Sequence, residues 1–101
     1  MKITKMVMIS YNEAVDAEVM DILEQSCVLK NYTKIPGVFG KGKSSGTHMG
    51  NDIWPGRNNL LLAGCTDSEA LQLLAAAQKL RQTLGKEGVK AFVLAVDAVT
   101  E

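Results

Sequence analysis

Between Gly37 and Gly56 the chain gathers the residues whose types and spacing could do chemistry. Lys41 and Lys43 stand among glycines, followed by Ser44, the only histidine (His48), Asp52 and the only tryptophan (Trp54). Glycines beside lysines suit an anion, because backbone amides free of Cβ atoms can cradle it while an ammonium reaches it. The run from Gly37 to Ser44 matches G-x-x-x-x-G-K-[ST], a phosphate-binding pattern. A P-loop, however, needs a helix directly after Ser44, and Ser45-Gly46-Thr47-His48-Met49-Gly50 is not a helical sequence. The match is therefore one of letters, and what survives is an anion site built from glycines with Lys41 and Lys43.

A metal ion asks for several converging ligands, and His48 offers one, with Met49 or Asp52 beside it or a second copy opposite. Trp54, in Trp54-Pro55-Gly56, is an amphipathic ring that either anchors its segment or meets a partner. No Ser-His-Asp or Cys-His arrangement and no suggestive pair of acids is readable, so an enzyme is not expected.

The stretch holds six of the nine glycines, and the only two prolines, Pro36 and Pro55, sit at its ends. Such a density disfavours both helix and strand. A long mobile loop over 37–56 is expected, and loops of that length are usually functional or disordered.

The elements around it must position it. Residues 3–10 alternate as a strand, with Ile3, Val7 and Ile9 on one face and Met6 and Met8 on the other. Asn12 is a plausible N-cap for an amphipathic helix over 13–25, with Val15, Val19, Ile22 and Leu23 at helical spacing and Glu13 and Asp16 suiting the dipole. Residues 27–35 read as a second strand ending at Pro36, and 59–65 as a third. Thr66-Asp67-Ser68-Glu69 is a capping box opening a helix with Ala70, Leu73, Leu74, Ala77, Leu80 and Leu84 on one stripe. Gly85 suits its left-handed C′ position, and 89–96 forms a last strand. The order β-α-β-loop-β-α-β predicts a single α+β domain over 1–101, a ferredoxin-like βαββαβ sandwich. The hairpin of the middle strands would place Cys27 roughly opposite Cys65.

Two helices cover only one face of such a sheet, yet Met6, Met8, Leu61, Ala91, Val93 and Ala95 stand opposite other apolar rows on their strands. Both faces are apolar, which predicts an obligate homo-oligomer joined through the open face. Eleven basic and eleven acidic residues cancel, so no global field favours nucleic acid or membrane. No stretch approaches a membrane span, and the start is too charged for a signal peptide; a cytoplasmic protein with reduced cysteines is expected.

Phe39-Gly40-Lys41-Gly42-Lys43 resembles the core of the Gly-Phe-Gly-Arg-Gln-Lys-Gly run at which nitrogen-regulatory PII signalling proteins open into their T-loop. Gly42 stands for the family's glutamine and Val38 for its first glycine. Thr83, Lys90 and Phe92 fall at the offsets of the family's Thr-Gly-x-x-Gly-x-Gly-Lys-x-Phe turn, with Gly88 displaced and Val89 in place of the last glycine. The resemblance spans nearly the whole chain in element order. It implies a homotrimer with nucleotide, ATP or ADP, in clefts between subunits. Gly40, Lys41, Lys43, Gly88 and Lys90 would contact nucleotide or anion. Ser44, His48, Asp52 and Trp54 would lie on a loop that engages a target transporter or enzyme, with membrane contact only through that partner. No tyrosine lies in the loop, so uridylylation is not expected. Ile53-Trp54-Pro55-Gly56-Arg57 resembles instead the Trp-rich segment of the related CutA proteins, which implies as an alternative a divalent-metal-binding protein using His48. A plain oligomeric interaction scaffold is the third reading.

Overall fold

A computed structural model describes residues 2–26, 29–40, 56–85 and 88–100. Four strands, β1 (Lys5–Asn12), β2 (Thr33–Val38), β3 (Asn58–Cys65) and β4 (Lys90–Ala95), form one sheet in the order β2-β3-β1-β4. All neighbours run antiparallel. Helices α1 (Asp16–Gln25) and α2 (Asp67–Leu84) connect β1 to β2 and β3 to β4. This is the expected ferredoxin-like α+β topology. Segment 41–55, where the long loop was expected, lies outside the described residues.

The central strand decides which face is buried. Val7, Ile9 and Tyr11 alternate inward and are buried, and across from them so are Ala63, Leu61 and Asn59 of β3. Val19 and Leu23 of α1, with Ala70, Leu73, Ala77 and Leu80 of α2, close over this row. The helical stripes were read too widely: Ile22 and Leu74 are each 38% exposed and stand outside the core.

Met6 and Met8 share the other face with Leu60 and Leu62 of β3, Phe92 and Leu94 of β4, and Ile35 of β2, as the pairing requires. Ile35, Phe92 and Leu94 are 41%, 48% and 44% exposed, so no helix covers them. Leu61, Ala91, Val93 and Ala95 belong to the helix-covered side by the same register.

Local chemistry explains the boundaries. Asn12 does cap, but it caps a 3-10 turn over Glu13–Val15, its Oδ1 accepting from the Ala14 amide at 2.8 Å, and α1 starts only at Asp16. At α2 both halves of the expected capping box form: the Glu69 amide donates to Thr66 Oγ1 at 3.3 Å and the Thr66 amide donates to Glu69 Oε1 at 2.9 Å. Gly85 takes a positive φ of 63° but a ψ of −118°, a different exit from the left-handed one expected.

Strand β2 departs furthest from expectation. It begins at Thr33 rather than Cys27 and runs through Pro36 to Val38. Proline is tolerated there because β2 is an edge strand and the ladder bulges beside it. With Thr33 opposite Leu62, the register continues to position 30, not 27, across from Cys65. Cys27 itself lies outside the described residues.

The capping box is a direct check on this account. Thr66→Ala is expected to cost about 1 kcal/mol and to lower the melting temperature, followed by circular dichroism, by roughly 4–8 °C. An unchanged melting curve would remove the cap from the list of what stabilises α2.

Candidate functional site

The candidate site is one end of the sheet. Asn12 of β1 meets Asn58 of β3, Val38 of β2 also pairs with Asn58, and Lys90 of β4 pairs with Ser10 two residues back. The C-terminal ends of β1 and β2 and the N-terminal ends of β3 and β4 therefore share an edge. Segments 37–40, 56–58 and 88–90 all emerge there.

A bulge shapes the exit of β2. Ile35 pairs with Leu60 but Val38 pairs with Asn58, so Pro36 and Gly37 together face Asn59. Proline has no amide to donate. Gly37, at φ +66°, turns its amide onto a side chain, and donates to Asn59 Oδ1 at 3.2 Å. The other end of the same carboxamide donates from Nδ2 to Asp16 Oδ1 at 3.1 Å. That oxygen also accepts from the Tyr11 hydroxyl at 2.5 Å and from Lys34 Nζ at 2.9 Å. One carboxylate oxygen at the start of α1 thus collects donors from three strands. The cause is the inward parity of Tyr11 and Asn59: both are buried, and buried polar groups need partners.

Outside this cluster the end of the sheet carries the cations Arg57 and Lys90 and the acidic Glu13, whose amide donates to the Arg57 carbonyl at 2.9 Å. The Arg57 guanidinium lies 5.5 Å from the Phe39 ring centroid, and Phe39 is 72% exposed. Arg57 also flanks Gly37, where an added Cβ would meet its Cδ at 3.7 Å. Gly40 packs on Asn58: a Cβ there would come within 2.5 Å of Asn58 Nδ2, closer than such atoms approach. Lys90 lies on the uncovered face with Nζ 5.9 Å from the Phe92 ring centroid. Gly88 takes φ +72°, and Arg81 Nη1 donates to the Val89 carbonyl at 2.8 Å, tying α2 to the start of β4.

Of the residues singled out from sequence, Gly40, Gly88 and Lys90 are placed at this end. Gly40 is not brought to the other two. Gly40 follows β2 and Lys90 starts β4, the two outer strands, which stand three spacings apart, about 14 Å at roughly 4.8 Å each. Lys41, Lys43, Ser44, His48, Asp52 and Trp54 lie outside the described residues, and with His48 the proposed metal ligand. Among the described residues no three His, Cys, Asp or Glu side chains converge as a metal site would need. Also among them, no helix is long and apolar enough to cross a membrane. Tyr11, Asp16, Lys34, Arg57 and Asn59 were not anticipated as a group. The signal for two of them was available: Tyr11 and Asn59 occupy inward positions of strands.

No protein-family model matches the chain, and no curated protein is similar to it at a significant level. Solved structures are similar. CPII of Thiomonas intermedia K12, a nitrogen regulatory PII-like protein bound to ADP, AMP and bicarbonate, superposes with a TM-score of 0.69 at 19% identity, over 99% of this chain and 97% of that one. Its apo form gives 0.66 at 19% identity, covering 94% and 90%. A Thermus thermophilus protein assigned to PII-like signalling gives 0.63 at 22% identity, covering 92% and 85%. The chain has the PII-like fold.

The electrostatics of this PII-like sheet end follow from its contacts. The Tyr11 hydroxyl first, then the Lys34 ammonium, hold the Asp16 carboxyl below the usual carboxylate range. Burial, then the bond to Asp16, push the Tyr11 phenol far above its ordinary value, so it remains a donor. Away from the site, burial pushes the Cys65 thiol up, with Glu69 and Asp67 adding to it, which leaves an unreactive protonated thiol. The Thr66 amide foremost holds the Glu69 carboxyl low.

Both depressed carboxyls have the same consequence. Protons bind the unfolded chain first, so their contribution is complete above the ordinary carboxylate range and is lost as pH falls through and below ~4. Urea titrations should show wild-type stability level at neutral pH and declining below ~pH 5. Asp16→Asn should be less stable at pH 7 and decline less on acidification, keeping the slope owed to Glu69. Parallel acid slopes for the two proteins would rule out an ionised Asp16 at the centre of the cluster.

Proposed function

We propose that this chain is a non-enzymatic, cytoplasmic PII-like regulator that acts as a homotrimer. It binds a nucleotide or related anion in clefts between subunits and controls a transporter or an enzyme through the segment following Gly40. The observation that carries this reading is the placement of the two candidate contact segments at one end of the sheet but on opposite edges. Gly40, which Lys41 and Lys43 follow in sequence, is on the β2 side, and Gly88 with Lys90 is on the β4 side. Gly40 and Lys90 are too far apart to grip one phosphate within a subunit. They would meet if the β2 side of one copy faced the β4 side of another. The uncovered face bearing Met6, Met8, Leu62, Phe92 and Leu94 supplies an apolar surface for that assembly.

The likeness to CPII supports the ligand class, since that protein has been solved with ADP, AMP and bicarbonate. Arg57 joins the candidate contacts: it stands beside Gly37 and Phe39 with no carboxylate partner among the described residues. A guanidinium offers paired donors to a phosphate or a carboxylate. Ser44, His48, Asp52 and Trp54 would present the surface read by the partner. Ligand would act by favouring one arrangement of that surface, to an extent limited by its differential affinity for the two.

Calorimetry with ATP, ADP and AMP tests the ligand. Wild type should bind at least one, and Lys90→Ala and Arg57→Ala should each weaken binding about 10-fold or more, as loss of a charged hydrogen bond predicts. No heat with any of the three removes the nucleotide reading. Light scattering at micromolar concentration should give three protomer masses for wild type and a smaller species for Leu62→Glu; a monomeric wild type contradicts the assembly.

A further inference from the structure

We propose that Asn59 is a positioning residue: its carboxamide, clamped between Asp16 and the Gly37 amide, sets the direction in which β2 leaves the sheet and so aims Phe39 and Gly40. The bulge creates the need. Two residues of β2 face the single residue Asn59, one of them is proline, and the Gly37 amide donates to the Asn59 side chain in place of a ladder partner. The carboxamide cannot turn over to serve some other arrangement. Asp16 Oδ1, ionised, only accepts, so the end of Asn59 that faces it must be Nδ2, and the end facing the Gly37 amide must be Oδ1. Asp16 is in turn held by Tyr11 on β1 and Lys34 on β2. A continuous chain of hydrogen bonds therefore runs from the buried Tyr11 to the backbone of the exit turn.

The polarity of that clamp yields a signature that mere packing does not. Asn59→Asp keeps the shape and the acceptor for Gly37 but sets a second carboxylate against Asp16. Two carboxylates at hydrogen-bond distance cannot both ionise cheaply, and a proton shared between them restores a donor. The charged or titratable groups around position 59 are Asp16 from α1, Tyr11 from β1, Lys34 from β2 and Arg57 just before β3, with Tyr32 acting on Tyr11 from farther off. The introduced pair of carboxylates gains a proton as pH falls from 7 to 5. Asn59→Leu, by contrast, removes both bonds at every pH and leaves Asp16 with Tyr11 and Lys34.

The test reads the protection of the Gly37 amide by NMR hydrogen exchange, normalised to intrinsic rates, alongside ADP affinity by calorimetry. In Asn59→Leu, Gly37 protection should fall roughly 5–10-fold at all pH values, the worth of one hydrogen bond. In Asn59→Asp it should fall at pH 7 and recover towards wild type at pH 5. ADP binding should weaken at least 5-fold in Asn59→Leu, and in Asn59→Asp at pH 7 only. Unchanged Gly37 protection in Asn59→Leu overturns the proposal, as does Asn59→Asp showing no pH-dependent recovery. Lost protection with wild-type ADP affinity in both variants also overturns it, because the clamp then aims nothing. The ADP arm rests on the proposed function. If wild type itself binds no ADP, that reading fails, and Gly37 protection with its pH profile decides the role of Asn59 alone.

Discussion

The alternation of β1 is the constraint from which the rest of the molecule follows. A strand presents successive side chains to opposite faces, so burying Val7, Ile9 and Tyr11 under the helices commits Met6, Met8 and Ser10 to the other side. Both neighbours pair with β1 along most of its length, so its parity is imposed on β3 and β4. A slip of one residue would exchange the two faces everywhere at once. Many proteins relax this constraint by making one face polar. Here the second face carries methionines, leucines and a phenylalanine, so the cost of slipping is set by the helices and not by solvent. The same arithmetic leaves an apolar surface that two helices cannot reach.

The inward row of β1 ends in a residue with a hydroxyl. Tyr11 is fully buried at the margin of the core, and its hydroxyl must have a partner there. Asp16 provides it, and the helix start supplies that carboxylate at the right place because the chain makes a 3-10 turn between Asn12 and α1. Once ionised there, the carboxylate oxygen draws Lys34 and Asn59 from the two strands on that side. The polar cluster is thus the termination of the hydrophobic core. It lies where β2 turns away, so the geometry of an exposed exit is determined by a contact anchored in the interior.

How legible this was depends on the range of the interactions. The capping box at Thr66 and most of the inward stripe of α2, Ala70, Leu73, Ala77 and Leu80, are local, and sequence spacing alone places them correctly. The element order followed from turns and caps in the same way. Strand β2 was placed too early because Pro36 was taken for a stop. Only its position at the edge of the sheet, a tertiary fact, lets the strand run on past a proline. Asp16 was read as a favourable charge for the helix dipole, a local role that suits it equally well. Its principal partners lie 5, 18 and 43 residues away in sequence, and no periodicity links those positions. Gly40 was singled out for a ligand, and it also packs against the Asn58 side chain, whose end would have to move to admit a Cβ. Two independent reasons for one glycine are compatible: a backbone with no side chain on one flank can stay open on the other.

The two outer strands carry the remaining argument. Single-chain geometry places β2 and β4 at opposite edges, with unpaired ladder groups facing outward, and each edge begins or ends beside a glycine of positive φ, Gly37 or Gly88. Neither edge is closed off by the described residues, and each bears a cation next to it, Arg57 beside the exit of β2 and Lys90 at the start of β4. An isolated subunit thus holds two separated cations and an apolar face that the described helices leave open between them. Cations so separated gain little from each other's company in water, since exposed charges are screened over about 10 Å. In the proposed assembly a second copy would bring the other cation across, and the desolvation that accompanies burial of the apolar face would strengthen their hold on an anion. On the proposed function assembly and anion binding would be coupled: the hydrophobic face would bring the edges together, and the edges would supply the charge.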